Sequence, residues 1–230
     1  MKLRKETGSS DARHGRWYDD ACGTAFAMEV VGERWSMLVI RELMLGGRRF
    51  SDLRASLPGI SAKVLSERLL GLEEAGVLEK RKLPPPAASQ VYELTQWGYL
   101  FEPAIQELGR WAARSPEHNP QLPISPVSFM LSLRTMIDHE AAKALDVSVG
   151  FTVRGESFLA ELRGGRMPVS RGDPGAGELN FAADQALPLL RLFYGKQPLE
   201  EAERAGVSFS GDRDLAARFI ALFSLPEKIG

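Results

Sequence analysis

Four prolines fall within the twelve residues SPEHNPQLPISP, Ser115 to Pro126. Each fixes φ and removes a backbone N–H, so no helix runs through the stretch. A chain of 230 residues accommodates two domains of roughly 100–150 residues each. The seam places the division: a weakly basic, flexible arm over 1–18, a first domain over 19–115, a proline-rich linker over 116–126 and a second domain over 127–230. Charge shifts across it. Residues 1–116 hold 17 Lys and Arg against 15 Asp and Glu, and the remainder holds 12 against 15. With an overall net charge of −1, contact with a polyanion must come from a local patch, not a basic coat.

Other features exclude whole classes. The single cysteine, Cys22, forbids an internal disulfide and fits a reducing cytoplasm. No apolar run reaches the ~20 residues of a membrane helix. The basic N-terminus lacks the apolar stretch of a signal peptide. His14, His118 and His139 are scattered, so neither a zinc site nor a catalytic constellation assembles. HExxH, P-loop, GxGxxG and GxSxG patterns are all missing. No enzyme, metal or cofactor is expected.

Apolar periodicity predicts helices over 20–31, 34–45 and 51–57, then a fourth from a Ser61 cap to about 75. Two strands, 77–82 and 90–94, flank KLPPPAAS, and a last helix spans 95–111 with an interruption near Pro103. The second half predicts helices over 127–145, 183–193, 198–204 and 212–223, with strands over 147–154, 157–162, 178–181 and 207–210. The fold class is α+β, mainly helical at the start.

The segment RRFSDLRASLPGISAKVLSERLLGLEEAGVLEKRKL, Arg48 to Leu83, orders a short helix, a PGIS turn, a capped helix, a glycine stop and a basic hairpin. Leu65, Leu69 and Leu72 anchor one face of the capped helix. Ala62, Lys63, Ser66 and Glu67 lie on the other face, small and polar enough to enter a major groove and read bases. Arg48, Arg49, Ser51, Ser61, Arg68, Lys80, Arg81 and Lys82 are the candidates for backbone phosphates. Any one of these positions, taken alone, also fits an ordinary solvated surface.

Residues 19 to about 114 resemble the HxlR-type winged helix-turn-helix regulators. Gly32 and Trp35 match the family's GxxW. Ile60 to Leu78 match its ISxxxLSxRLxxLExxGL stretch, and Thr95 and Gly98 its T-x-x-G. The resemblance implies a DNA-binding transcription regulator, a homodimer built from the first helix and the helix after the wing, and pseudo-palindromic operators with half-sites about 34–36 Å apart. The PPPAAS wing tip departs from the charged tips common in the family. The family includes redox sensors with a cysteine at the Cys22 position, so Cys22 is either a reactive thiolate or a small buried residue of the dimer helix.

Residues 127–227 resemble the sterol carrier protein-like lipid-binding domains, through Ala183-Asp184 at a helix start, Gly195-Lys196 at its end and the VSFSGD segment at Val207–Asp212. The resemblance implies a small hydrophobic ligand. Phe151, Phe181, Phe193, Tyr194, Phe209, Phe219 and Phe223, with Phe129, Leu133, Met136 and Leu190, either wall an apolar pocket or fill the core. Two functions therefore stand: a regulator whose second domain senses an apolar ligand, or a lipid-binding or interaction module whose winged helix docks protein.

Overall fold

The computed structural model describes residues 18–84 and 89–229. The arm expected over 1–18 lies outside them but for Tyr18, as does the wing tip over 85–88. The first domain carries α1 (Gly23–Val31), α2 (Ser36–Leu43), α3 (Phe50–Ser56), α4 (Ala62–Glu74), the hairpin β1 (Leu78–Lys82) and β2 (Gln90–Leu94), α5 (Gln96–Tyr99) and α6 (Glu102–Ala113). Its core is apolar and fully buried, with Val39, Ile40 and Leu43 of α2 meeting Leu53, Leu65 and Leu69.

Two family positions have a physical explanation. Thr95 caps α5: its Oγ1 accepts from Gly98 N at 3.1 Å and donates to Gly76 O at 2.8 Å. Gly98 lies so close to Val77 O that a Cβ would sit 2.1 Å from it, so only glycine fits. Trp35 precedes α2 with φ +82, in the left-handed region. This costs a non-glycine residue roughly 1–2 kcal/mol. It lays the indole against Gly59 of the PGIS turn, tying the α1–α2 turn to the helix-turn-helix.

The second domain is a five-stranded mixed sheet in the order β5-β4-β3-β6-β7, from β3 (Val147–Val153), β4 (Glu156–Leu162), β5 (Val169–Arg171), β6 (Leu179–Ala183) and β7 (Ser208–Ser210). β3 and β6 run parallel, and the other neighbours are antiparallel. Helices α7 (Pro126–Met136), α8 (Ala186–Phe193), α9 (Leu199–Arg204) and α10 (Arg213–Ala221) complete it. The helix expected over 127–145 stops at Met136. Ile137 turns extended and bridges Phe223, and Asp138 then accepts from the N–H groups of Glu140 and Ala141, opening a 3-10 turn. β5 has no counterpart among the expected strands.

The phenylalanines form the core. Phe151 and Phe181 stand opposite each other in the β3–β6 register and stack at 5.7 Å. Phe193 lies edge-on or tilted within 6.0 Å of Phe129, Phe151, Phe181, Phe219 and Phe223. These six rings and Leu133 are fully buried, and Phe209 packs on Phe181 at 5.0 Å. Ring-to-ring packing of this kind is the arrangement that the filled-core alternative describes.

The domains meet through α7, which packs on α2 and α6. Arg134 pairs with Glu102 at 2.8 Å, and Arg110 Nε donates to Thr135 O. The C-terminal segment returns to the seam. Lys228 Nζ donates to the carbonyls of Ala113, Ser115 and His118, and Ile229 N to Arg114 O.

Candidate nucleic-acid interface

α4 begins at Ser61, whose Oγ accepts from Val64 N at 3.2 Å, satisfying one of the orphan donors of a helix start. Leu65, Leu69 and Leu72 are buried. The opposite side faces out: Ser61, Lys63 and Ser66 are exposed, while Ala62 and Glu67 are half-buried. The Lys63 side chain is 86% exposed and reaches Glu67 only at 4.0 Å. An exposed pair of that length holds its ends weakly, so both groups can be redirected to a ligand.

The wing stands beside this helix. Lys80 Nζ meets Glu73 of α4 at 2.5 Å, and that carboxylate holds the ammonium's pKa above its ordinary value. Arg81 pairs across the hairpin with Glu93. Lys82 is exposed at the strand end. Arg49, also exposed, precedes α3 and donates from Nε to Ser89 Oγ on the far side of the wing. Ser51 is exposed on the first turn of α3. Arg54, one turn further on, is exposed too.

Two basic candidates, Arg48 and Arg68, are engaged by the protein's own groups instead of facing out. Arg48 is 7% exposed. Its guanidinium lies between Glu42 at 3.4 Å and Glu156 at 2.9 Å, so it serves as an internal strut. Arg68 folds back on the α1–α2 turn, donating to Arg34 O and pairing with Glu33, both at 3.0 Å. Sequence reading also missed Glu42, a fully buried carboxylate on α2 that accepts from Arg41, Arg48 and Ser125. A lone acid inside the apolar run of α2 was the available signal.

Cys22 is the N-cap of α1 and is exposed. The backbone N–H groups of Thr24 and Ala25 hold its thiol below the ordinary range. Large apolar side chains are also exposed on α1, Phe26 and Met28, and on α6, Leu108 and Trp111, the last 72% exposed. Among the described residues no cluster of three or more metal-binding side chains occurs, and no helix is long and apolar enough to cross a membrane.

A capped, polar-faced helix beside a basic two-stranded hairpin defines a winged helix-turn-helix. Residues 30–120 match the profile of the HxlR-like helix-turn-helix family. The HTH-type transcriptional regulator YvaP of Bacillus subtilis is 37% identical over 86 residues, which are 37% of this chain and 80% of that protein. YodB, an HTH-type transcriptional regulator of the same organism, is 37% identical over 86 residues, 37% of this chain and 77% of YodB. A structure of reduced YodB covers 42% of this chain and 95% of its own at 35% identity, with a TM-score of 0.38. The chain belongs to the HxlR-like helix-turn-helix family and is a DNA-binding transcription regulator.

Proposed function

We propose that this regulator binds a pseudo-palindromic operator as a homodimer, with the start of α4 in the major groove and the wing on the flanking backbone. The observation that carries the reading is the outward polar side of α4, where Lys63 and Ser66 stand clear of the core that Leu65 and Leu69 enter. Ala62, Lys63, Ser66 and Glu67 are assigned to base edges. Ser51, Ser61, Arg49, Lys80, Arg81 and Lys82 are assigned to phosphates. The exposed apolar side chains of α1, Phe26 and Met28, support a dimer seam, since patches of this kind mark interfaces.

The second domain is read as sterol carrier protein-like, on Ala183-Asp184 before α8 and Gly195-Lys196 after it. Its role is to sense a small apolar molecule and alter operator affinity. Such coupling requires the ligand to bind the two states of the dimer differently. The test is binding to a duplex from upstream of its own gene, followed by fluorescence anisotropy across a salt series. Affinity falling steeply with salt supports phosphate contact. A flat response, or equal binding to a scrambled duplex, overturns the operator reading in favour of a protein-docking winged helix.

A further inference from the structure

We propose that the cleft between the two domains binds a small molecule with an apolar body and one hydrogen-bonding end. This inference rests on the sensor reading above and moves its ligand from the second domain's core to the interdomain seam. The cleft holds about 750 Å³, within the 300–1,000 Å³ of typical small-molecule sites. Its walls come from both domains: Leu38 of α2 and Leu108 and Trp111 of α6 on one side, Met136 of α7 and Leu190 of α8 on the other. Of the residues expected to line a pocket, only Met136, Leu190 and Tyr194 are here.

The wall carries one hydroxyl pair. Ser132 Oγ and Tyr194 Oη lie 2.7 Å apart, and both residues line the cleft. Two hydroxyls bring two protons, and only one can lie between them. The second is available to an acceptor in the cleft. Burial pushes the Tyr194 phenol well above its ordinary range, so it stays a neutral donor at any working pH.

This pair argues for a small molecule over an apolar helix of a second copy. An apolar covering would leave the spare proton without a partner, which is unfavourable in a dry site. A ligand carrying a carbonyl, ether or hydroxyl oxygen would accept it. The position also gives the ligand a lever. Arg41 lines the cleft and donates through Nε and Nη2 to Glu42, the carboxylate that also receives Ser125 at the start of α7. A molecule in the cleft therefore touches both helices that this carboxylate joins.

The test uses full-length protein and the neutral fluorescent ketone 6-propionyl-2-(dimethylamino)naphthalene, an apolar body whose carbonyl oxygen can accept the spare proton of the hydroxyl pair. Fluorescence titration is run on wild type, Tyr194→Phe, Ala112→Trp and Phe219→Leu, with folding and oligomeric state checked by circular dichroism and sedimentation. The expected result is saturable binding, about fivefold weaker in Tyr194→Phe, for one lost hydrogen bond. Ala112→Trp, which fills the cleft from the exposed side of α6, should weaken it at least tenfold. The core variant Phe219→Leu should bind like wild type. No saturable binding, or binding indifferent to both cleft variants, overturns the site. Binding gained only on removing residues 1–17, or only on dissociating the dimer, overturns it by showing that the chain itself fills the cleft. Operator affinity is measured with and without saturating probe. Cleft-dependent binding with operator affinity unmoved upholds the site and overturns the sensor reading instead.

Discussion

Ser125 Oγ donates to Glu42 Oε1 at 2.6 Å, joining the N-cap of α7 to the last turn of α2. The carboxylate is fully buried, and Arg41 and Arg48 supply its positive charge. Arg48 then reaches across to Glu156, which also holds Arg171 at 2.7 Å. A chain of alternating charge thus runs from the helix-turn-helix into the sheet of the second domain.

Removing one member of a buried ion cluster strands the others. Glu42→Ala is expected to cost about 3–5 kcal/mol, and Ser125→Ala, losing a helix cap and one charge-assisted bond, about 1–2 kcal/mol. Urea unfolding measures both. A double-mutant cycle for Glu42 and Ser125 should show coupling, and simple additivity would deny that the pair acts as one unit.

Lys63 and Arg48 differ in burial, at 86% and 7% exposed. Lys63→Ala is expected to weaken operator binding by about 1–3 kcal/mol and leave stability within about 0.5 kcal/mol, as an exposed position should. Arg48→Ala is expected to do the reverse, destabilising the fold first. Anisotropy and thermal unfolding on the same samples separate the two. Equal operator binding by Lys63→Ala and wild type would remove Lys63 from the readout.

Two glycines make a matched pair. Gly98→Ala forces a Cβ onto the Val77 carbonyl and is expected to destabilise by about 1–3 kcal/mol. Gly71, inside α4, has nothing within 4 Å of a Cβ, and Gly71→Ala should stabilise by about 0.5–1 kcal/mol. Melting temperatures moving in the same direction for both would contradict this geometry.

The thiol of Cys22 titrates below an ordinary cysteine because backbone N–H groups at the start of α1 stabilise the thiolate. Alkylation by iodoacetamide follows the thiolate fraction. Its rate should therefore rise with pH and reach half its plateau at a lower pH than for a cysteine in an unstructured peptide. A coincident or higher midpoint would show that the helix start exerts no such pull.

Much of the first domain was readable because each of its parts is local. Ser61, the leucines of α4 and the Gly76 stop act within a few residues, so spacing alone reveals them. The failures came from partners distant in sequence. Arg48 reads as a surface base beside Arg49 until Glu156, 108 residues away, claims it. The end of α7 depends on Phe223 pairing with Ile137, which no local pattern encodes. The phenylalanines were found as a group, but whether aromatic rings line a space or fill it depends on centroid distances that one sequence does not carry. The cleft was missed for the same reason: its walls come from four helices of two domains.

The Lys228 ammonium, near the very end of the chain, clasps three carbonyls at the exit of α6. The stretch that leaves α6 is thereby buckled to a segment that follows α10, more than a hundred residues further on. Replacing Lys228 would loosen that clasp, so any communication between the two halves should be measured with this lysine in place.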